Sequence, residues 1–88
     1  MSNHNIKSLL TELLQFFVSL PNSKEKMELN IIINMITNSS ADLKKILLII
    51  QGNIDKHKSA TGDNKTLREK NILFWNHILS IFTKYLRN

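Results

Sequence analysis

The sequence of 88 residues has no cysteine, one proline and two glycines. Without cysteine the chain has no disulfide, no thiolate metal ligand and no cysteine nucleophile. The scarcity of glycine and proline disfavours a many-stranded fold and a glycine-rich phosphate loop. The purest apolar run, Ile46 to Ile50, is far shorter than the roughly 20 residues of a membrane-spanning helix. The length of 88 residues predicts one small domain over residues 1–88.

The apolar residues that are present recur with a helical period. Four segments, about 6–20, 23–37, 40–56 and 67–86, place them three and four positions apart. Pro21 ends the first segment, and polar stretches separate the later ones. Short connections favour antiparallel neighbours. The sequence therefore predicts an all-α protein, an antiparallel up-down-up-down four-helix bundle.

The second helix is predicted to present one apolar face and to have a defined start. Met27, Ile31 and Met35 are spaced to share this face, with Ile32 and Ile36 beside them and Leu29 and Ile33 partly around the cylinder. Asn22 stands three residues before Glu25, which is typical of an N-cap with a capping-box partner.

The later helices also carry start signals. Ser39 stands three residues before Asp42, and Thr66 stands three before Glu69, so each pair predicts a helix start. The third helix has so many apolar residues that it is predicted either to be nearly buried all round or to contact a partner with its outer side.

No constellation of residues points to catalysis or metal binding. His4, His57 and His77 fall in three parts of the chain and are predicted to be surface or boundary imidazoles. Glu25 and Glu28 lie near the start of a helix, where acids complement the helix dipole. No nucleophile-elbow motif surrounds a serine. The chain is therefore predicted not to be an enzyme and to need no cofactor and no metal.

The net charge of +5 is unevenly distributed. Residues 1–42 hold three lysines and four acids, whereas residues 43–88 hold nine basic and three acidic residues, a net of +6. Three interpretations of the basic half are open. It forms a solvated face, it binds nucleic acid, or it is attracted to an acidic partner or an anionic membrane. Only two of the basic residues are arginine, which disfavours base readout.

Aromatic residues on the fourth helix add to this half of the chain. Trp75 and Tyr85 have the spacing of core residues, although a protruding helix end would offer Tyr85 to a partner or a membrane interface. The candidate partner- or membrane-binding residues are Lys56, Lys58, Lys65, Arg68, Lys70, Lys84, Tyr85 and Arg87.

The whole chain resembles a known family. The features that carry the resemblance are residues 6–14 opening the first helix, the stretch 43–54 as a third helix, and a polar loop before a long last helix over 67–86. They resemble the bacteriocin immunity proteins of low-GC Gram-positive bacteria, especially the enterocin A immunity group of the class IIa family. Asn, Ile and Lys, which have AT-rich codons, are abundant, as a low-GC genome would produce.

The resemblance implies a fold and a role. Members of the family are small, basic, cysteine-free antiparallel four-helix bundles of the cytosol. They protect the producer cell from a pediocin-like peptide by acting on the complex of that peptide with its membrane permease, from the cytosolic side. The expected location is therefore the cytoplasm, with a peripheral position at the inner face of the membrane.

Two other functions stay open at this point. A small basic helical protein could be a DNA-binding regulator of phage or plasmid origin, which would bind DNA in a salt-sensitive way. It could also be a helical protein-protein adaptor whose exposed apolar stripe makes a homodimer.

Overall fold

A computed structural model describes residues 3–39, 42–59 and 65–86, with side chains over 6–39, 42–59 and 65–85. These residues form four helices and contain no strand: α1 (Asn3–Ser19), α2 (Lys24–Thr37), α3 (Leu43–Ser59) and α4 (Lys65–Leu86). The prediction of an all-α fold with four helices is confirmed. The helix ends lie up to three residues from those expected.

The longest helix, α4, organises the packing. It packs against both α3 and α1, α1 also packs on α2, and the contact between α2 and α3 is the smallest of these. The molecule measures 43 × 24 × 21 Å, which is the shape of a short helical bundle. Every buried residue in the described part of the chain is apolar: Leu9, Leu13, Leu29, Ile32, Ile33, Ile36, Ile46, Ile50, Ile54, Phe74, Trp75, Ile78, Ile81 and Phe82.

The buried face of α2 differs from the one predicted. Met27 and Ile31 are exposed, and Met35 is half-buried. The side chains that enter the core are Leu29, Ile32, Ile33 and Ile36. These four have the spacing i, i+3, i+4, i+7 of a core-facing stripe, and burial of each removes branched apolar surface from water. Met27 and Ile31, which were predicted to belong to the apolar face, therefore lie on the outside of the helix.

Contacts between α1 and α4 run in opposite directions along the two helices. Glu12 contacts Lys84 and Tyr85 near the end of α4. One turn further along α1, the ring of Phe16 lies 5.7 Å from that of Phe74 and 4.3 Å from that of His77, near the middle of α4. Later residues of α1 thus meet earlier residues of α4.

The segment between α1 and α2 contains the residues that end α1 and the N-cap that starts α2. The Leu20 N–H donates to the Phe17 carbonyl at 3.2 Å, and Pro21 follows, as predicted for the end of α1. The N-cap of α2 is Ser23, whose hydroxyl accepts a hydrogen bond from the Lys26 N–H at 3.2 Å. The prediction of Asn22 as the cap is wrong, because the residue after it already has the extended cap conformation.

The end of α2 and the start of α3 also differ from the sequence prediction. Ser39 has a positive φ of 53°, and its N–H donates to the Ile36 carbonyl, which ends α2 in a left-handed turn. Asp42 caps α3 instead, since its carboxylate accepts the Lys45 N–H at 3.0 Å. In α4, Thr66 is already helical because α4 begins at Lys65, so the expected capping box is not at the helix start.

Candidate functional site

Five of the predicted binding residues lie where α3 ends and α4 begins. Lys56 and Lys58 are exposed in the last turn of α3, and Lys65 and Lys70 are exposed in the first turns of α4, with Arg68 half-buried between them. Residues 60–64 connect the two helices, so the last residue of α3 and the first residue of α4 lie within about 22 Å of each other. We call these five residues the basic end.

The local structure accounts for the exposure of the basic end. Cations in the last turn of α3 complement the negative end of the helix dipole. Lys65 lies 4.0 Å from Glu69 one turn later, and both side chains are well exposed, so this ion pair contributes little. The four lysines of the basic end therefore face solvent and remain accessible to an anionic partner.

An apolar cavity adjoins the basic end. It has a volume of about 270 Å³ and lies between α4 and the turn that joins α1 to α2. Phe16, Leu20 and Phe74 line it together with one cation, Lys70, and one acid, Glu25. An apolar recess with a charge of each sign suits a ligand that combines polar groups with an apolar one.

Lys84 and Tyr85 do not belong to the basic end. Lys84 lies nineteen positions after Lys65 in the same helix, a distance of about 28 Å along the axis. Its ammonium group donates to Glu12 Oε1 at 2.6 Å, and the Tyr85 hydroxyl donates to the same oxygen. The two residues hold α4 against α1. Arg87 lies outside the described residues.

The Glu12 contacts shift the acid-base properties of all three groups. Hydrogen bonds from Lys84 and then Tyr85 lower the pKa of Glu12, because they favour its charged form. The hydrogen bond to Glu12 raises the pKa of Lys84 and also that of Tyr85. The carboxylate therefore stays ionised under ordinary conditions and keeps the Lys84 charge paired.

The remaining candidates from the sequence take structural positions. Trp75 is only 2% exposed and packs edge-on against Phe74 with ring centroids 5.1 Å apart, so it is a core residue. His77 is exposed beside Phe16, and His57 is half-buried. Within residues 3–39, 42–59 and 65–86, no group of three or more histidine or acidic side chains is arranged to hold a metal ion.

The structure also shows a surface that the candidate list omitted. Leu48 is 67% exposed and Ile49 is 42% exposed on α3, on the side away from the core. The sequence left two possibilities for this helix, burial all round or an outer side open to a partner, and the first is wrong. The signal was present in the run of apolar residues from 46 to 50, which is too wide for one buried stripe.

The described helices combine an exposed basic end with exposed apolar side chains and with a core that holds no buried ionisable group. This arrangement can bind an acidic or anionic surface through long-range attraction and short apolar contacts. No helix among the described residues is both long and apolar enough to span a bilayer. Comparison of the chain with known protein families, curated proteins and solved structures gave no match.

Proposed function

We propose that this protein is a bacteriocin immunity protein, which protects its producer cell from a pediocin-like peptide by acting at the cytosolic side of the target membrane permease. The observation that carries the proposal is the combination of four helices in 88 residues with charge concentrated on α3 and α4. This is the organisation that the resemblance to the enterocin A immunity group implies. The role requires binding and no catalysis.

The proposal includes an antiparallel up-down-up-down topology. The opposed order of contacts between α1 and α4 supports it, since Glu12 meets Tyr85 whereas Phe16 meets Phe74. In this topology the turn from α1 to α2 and the basic end share one end of the bundle, as the cavity shared by Leu20 and Lys70 also suggests. The charges and the apolar recess then form one surface for the complex of permease and peptide.

Expression of the chain in a sensitive strain tests the proposal. We expect the minimum inhibitory concentration of at least one pediocin-like peptide in a panel to rise, relative to cells with the empty vector. Lys70→Gln should reduce this protection because it removes a charge beside the cavity. Lys7→Gln is the matched control, since Lys7 is an exposed lysine on α1 away from the basic end. The proposal would be contradicted if neither the native chain nor the control variant protected the cells against any peptide of the panel.

Two further measurements separate the proposal from the other functions. A DNA-binding regulator should retard duplex DNA at about 50 mM salt and release it as salt rises, whereas an immunity protein should not. A homodimeric adaptor should show a mass that rises with concentration in solution. Protection together with salt-sensitive DNA retardation would show that the basic half has a nucleic-acid partner as well.

A further inference from the structure

We propose that the outer face of α3 docks directly on an anionic lipid surface. The outer face consists of Lys45, Leu48, Ile49, Gly52 and Lys56. The inference deepens the proposed function and rests on its location beside the membrane, but it concerns a different surface from the cavity and is tested with lipid alone.

The five residues lie on one side of α3. Lys45, the adjacent pair Leu48 and Ile49, Gly52 and Lys56 follow one another at intervals of about one helical turn. The opposite side of the helix enters the core through Ile46, Ile50 and Ile54. The outer face is about 17 Å long from Lys45 to Lys56, with its apolar side chains between the two cations.

The exposed apolar residues of this face are large and adjacent. Leu48 is 67% exposed and Ile49 is 42% exposed, and the core is already closed beneath them by Ile46 and Ile50. Leu48 and Ile49 therefore do not contribute to the core of this molecule. They are therefore available to enter the boundary between headgroups and acyl chains of a bilayer.

Gly52 lies in the middle of the outer face. A Cβ atom built at Gly52 would have no heavy atom within 4 Å, so neither packing nor backbone conformation requires glycine there. Glycine in a helix interior is less favourable than alanine. Its presence leaves a flat strip between Ile49 and Lys56, where the helix backbone can approach a planar surface closely.

The charges around the face select an anionic occupant. Lys44, Lys45 and Lys56, on or beside the face, are exposed, and two exposed acids accompany them, Asp42 at the start of the helix and Asp55 about one turn after Gly52, so cations outnumber acids there. Two copies of such a face would repel each other, so a second copy of the chain is disfavoured. Each lysine close to an anionic bilayer strengthens binding about fivefold.

The composition of the face favours lipid over protein or nucleic acid. Protein interfaces are enriched in arginine and aromatic residues and depleted in lysine, whereas α3 has four lysines and no arginine, tryptophan or tyrosine. Two exposed apolar side chains also fall far short of the roughly 800 Å² per partner of a stable protein interface. The phosphodiester backbone of a nucleic acid would contact Leu48 on this face. The Leu48 side chain has no hydrogen-bond donor for a phosphate, so nucleic acid is disfavoured.

Sedimentation with vesicles tests the proposal. We expect the protein to bind vesicles of phosphatidylcholine and phosphatidylglycerol in equal parts, and to leave vesicles of phosphatidylcholine alone unbound. Lys45→Gln should weaken the partition coefficient about fivefold, and Leu48→Ser should weaken it by about tenfold. The matched controls on α1 are Lys7→Gln and Val18→Ser, because both positions are exposed and lie off this face. Each control should change the coefficient by less than about twofold.

A gain of binding provides a second test that does not depend on weakening the protein. Gly52→Leu places an apolar side chain in open space on the outer face, and Gly52→Ala is its reference. We expect Gly52→Leu to bind the anionic vesicles at least about fivefold more tightly than Gly52→Ala. Equal binding by these two variants would overturn the assignment of this face.

Other outcomes also decide the proposal. Failure of the native protein to bind anionic vesicles, equal binding to neutral vesicles, or equal losses in the α1 controls would overturn it. If Lys45→Gln abolished protection in cells while the native protein ignored lipid, the face would belong to an acidic protein partner. Vesicle binding without protection against any peptide would instead support this proposal and remove the proposed function.

Discussion

Substitution of Gly52 by alanine should stabilise the protein. Gly52 is exposed in the interior of α3, and an added Cβ meets no atom within 4 Å, so the change introduces no clash. Glycine is less favourable than alanine in such a position by about 0.8–1.0 kcal/mol, because it loses more backbone entropy on folding. For a chain of 88 residues the entropy of unfolding is about 0.18 kcal/mol/K, so the melting temperature should rise by about 5 °C.

Thermal unfolding followed by far-UV circular dichroism measures this shift, and urea unfolding checks that the m-value stays constant. Gln51→Ala is the matched control, because Gln51 is the exposed residue before Gly52 and is already a good helix former. It should change the stability by less than about 0.5 kcal/mol. A melting temperature for Gly52→Ala that is unchanged or lower would refute the reasoning, since it would mean that α3 is interrupted or covered at this position.

Two further predictions concern the contact of Glu12 with Lys84 and Tyr85, which joins α1 to α4, and the cap of α2. Because the folded pKa of Glu12 is lowered, its stabilising contribution is present above the pKa of the unfolded state, about 4.3, and is lost as pH falls through the folded value. The urea midpoint of the native protein should therefore fall as the pH is lowered through this range, and the midpoint of Glu12→Gln should fall less. Ser23→Ala should cost about 1 kcal/mol in unfolding free energy, whereas Asn22→Ala should cost less than about 0.5 kcal/mol, because the Ser23 hydroxyl accepts the Lys26 N–H.

The same measurements contain the outcomes that contradict these two predictions. Lys84→Met removes the principal donor to Glu12, so it should bring the folded pKa of Glu12 closer to its unfolded value and reduce the loss of stability in acid. If the urea midpoint fell equally in acid for the native protein and for Glu12→Gln, the contact of Glu12 with Lys84 and Tyr85 would not persist in solution. A larger loss of unfolding free energy for Asn22→Ala than for Ser23→Ala would show that Asn22 is the N-cap, as the sequence predicted.

The sequence predicted the number and class of the helices because three of them combine a clear apolar period with polar breaks. It failed on the buried side of α2. Residues 29–41 contain no charged residue, so apolar side chains occur on both sides of that helix and the period alone does not select between Ile31 and Ile32. Packing against α1 and α3 makes the choice, and that information is not local.

The helix caps and the candidate site also depend partly on local sequence and partly on tertiary structure. Asn22, Ser23, Ser39 and Asp42 are all good cap residues, and only the backbone conformation decides which of them is used. The basic end follows from sequence order, since its residues flank one connection. The contact between Glu12 and Lys84 joins residues 72 positions apart, so a pattern of three or four residues cannot reveal it.

The small contact between α2 and α3 has a consequence for how the molecule opens. Since α4 packs against both α1 and α3, these three helices form a unit that α2 joins mainly through α1. Detachment of α2 exposes less apolar surface than detachment of α4 would, so it requires less free energy than global unfolding. Amide protons of α2 should therefore exchange with deuterated solvent through this partial opening, while those of α4 exchange only when the whole bundle unfolds.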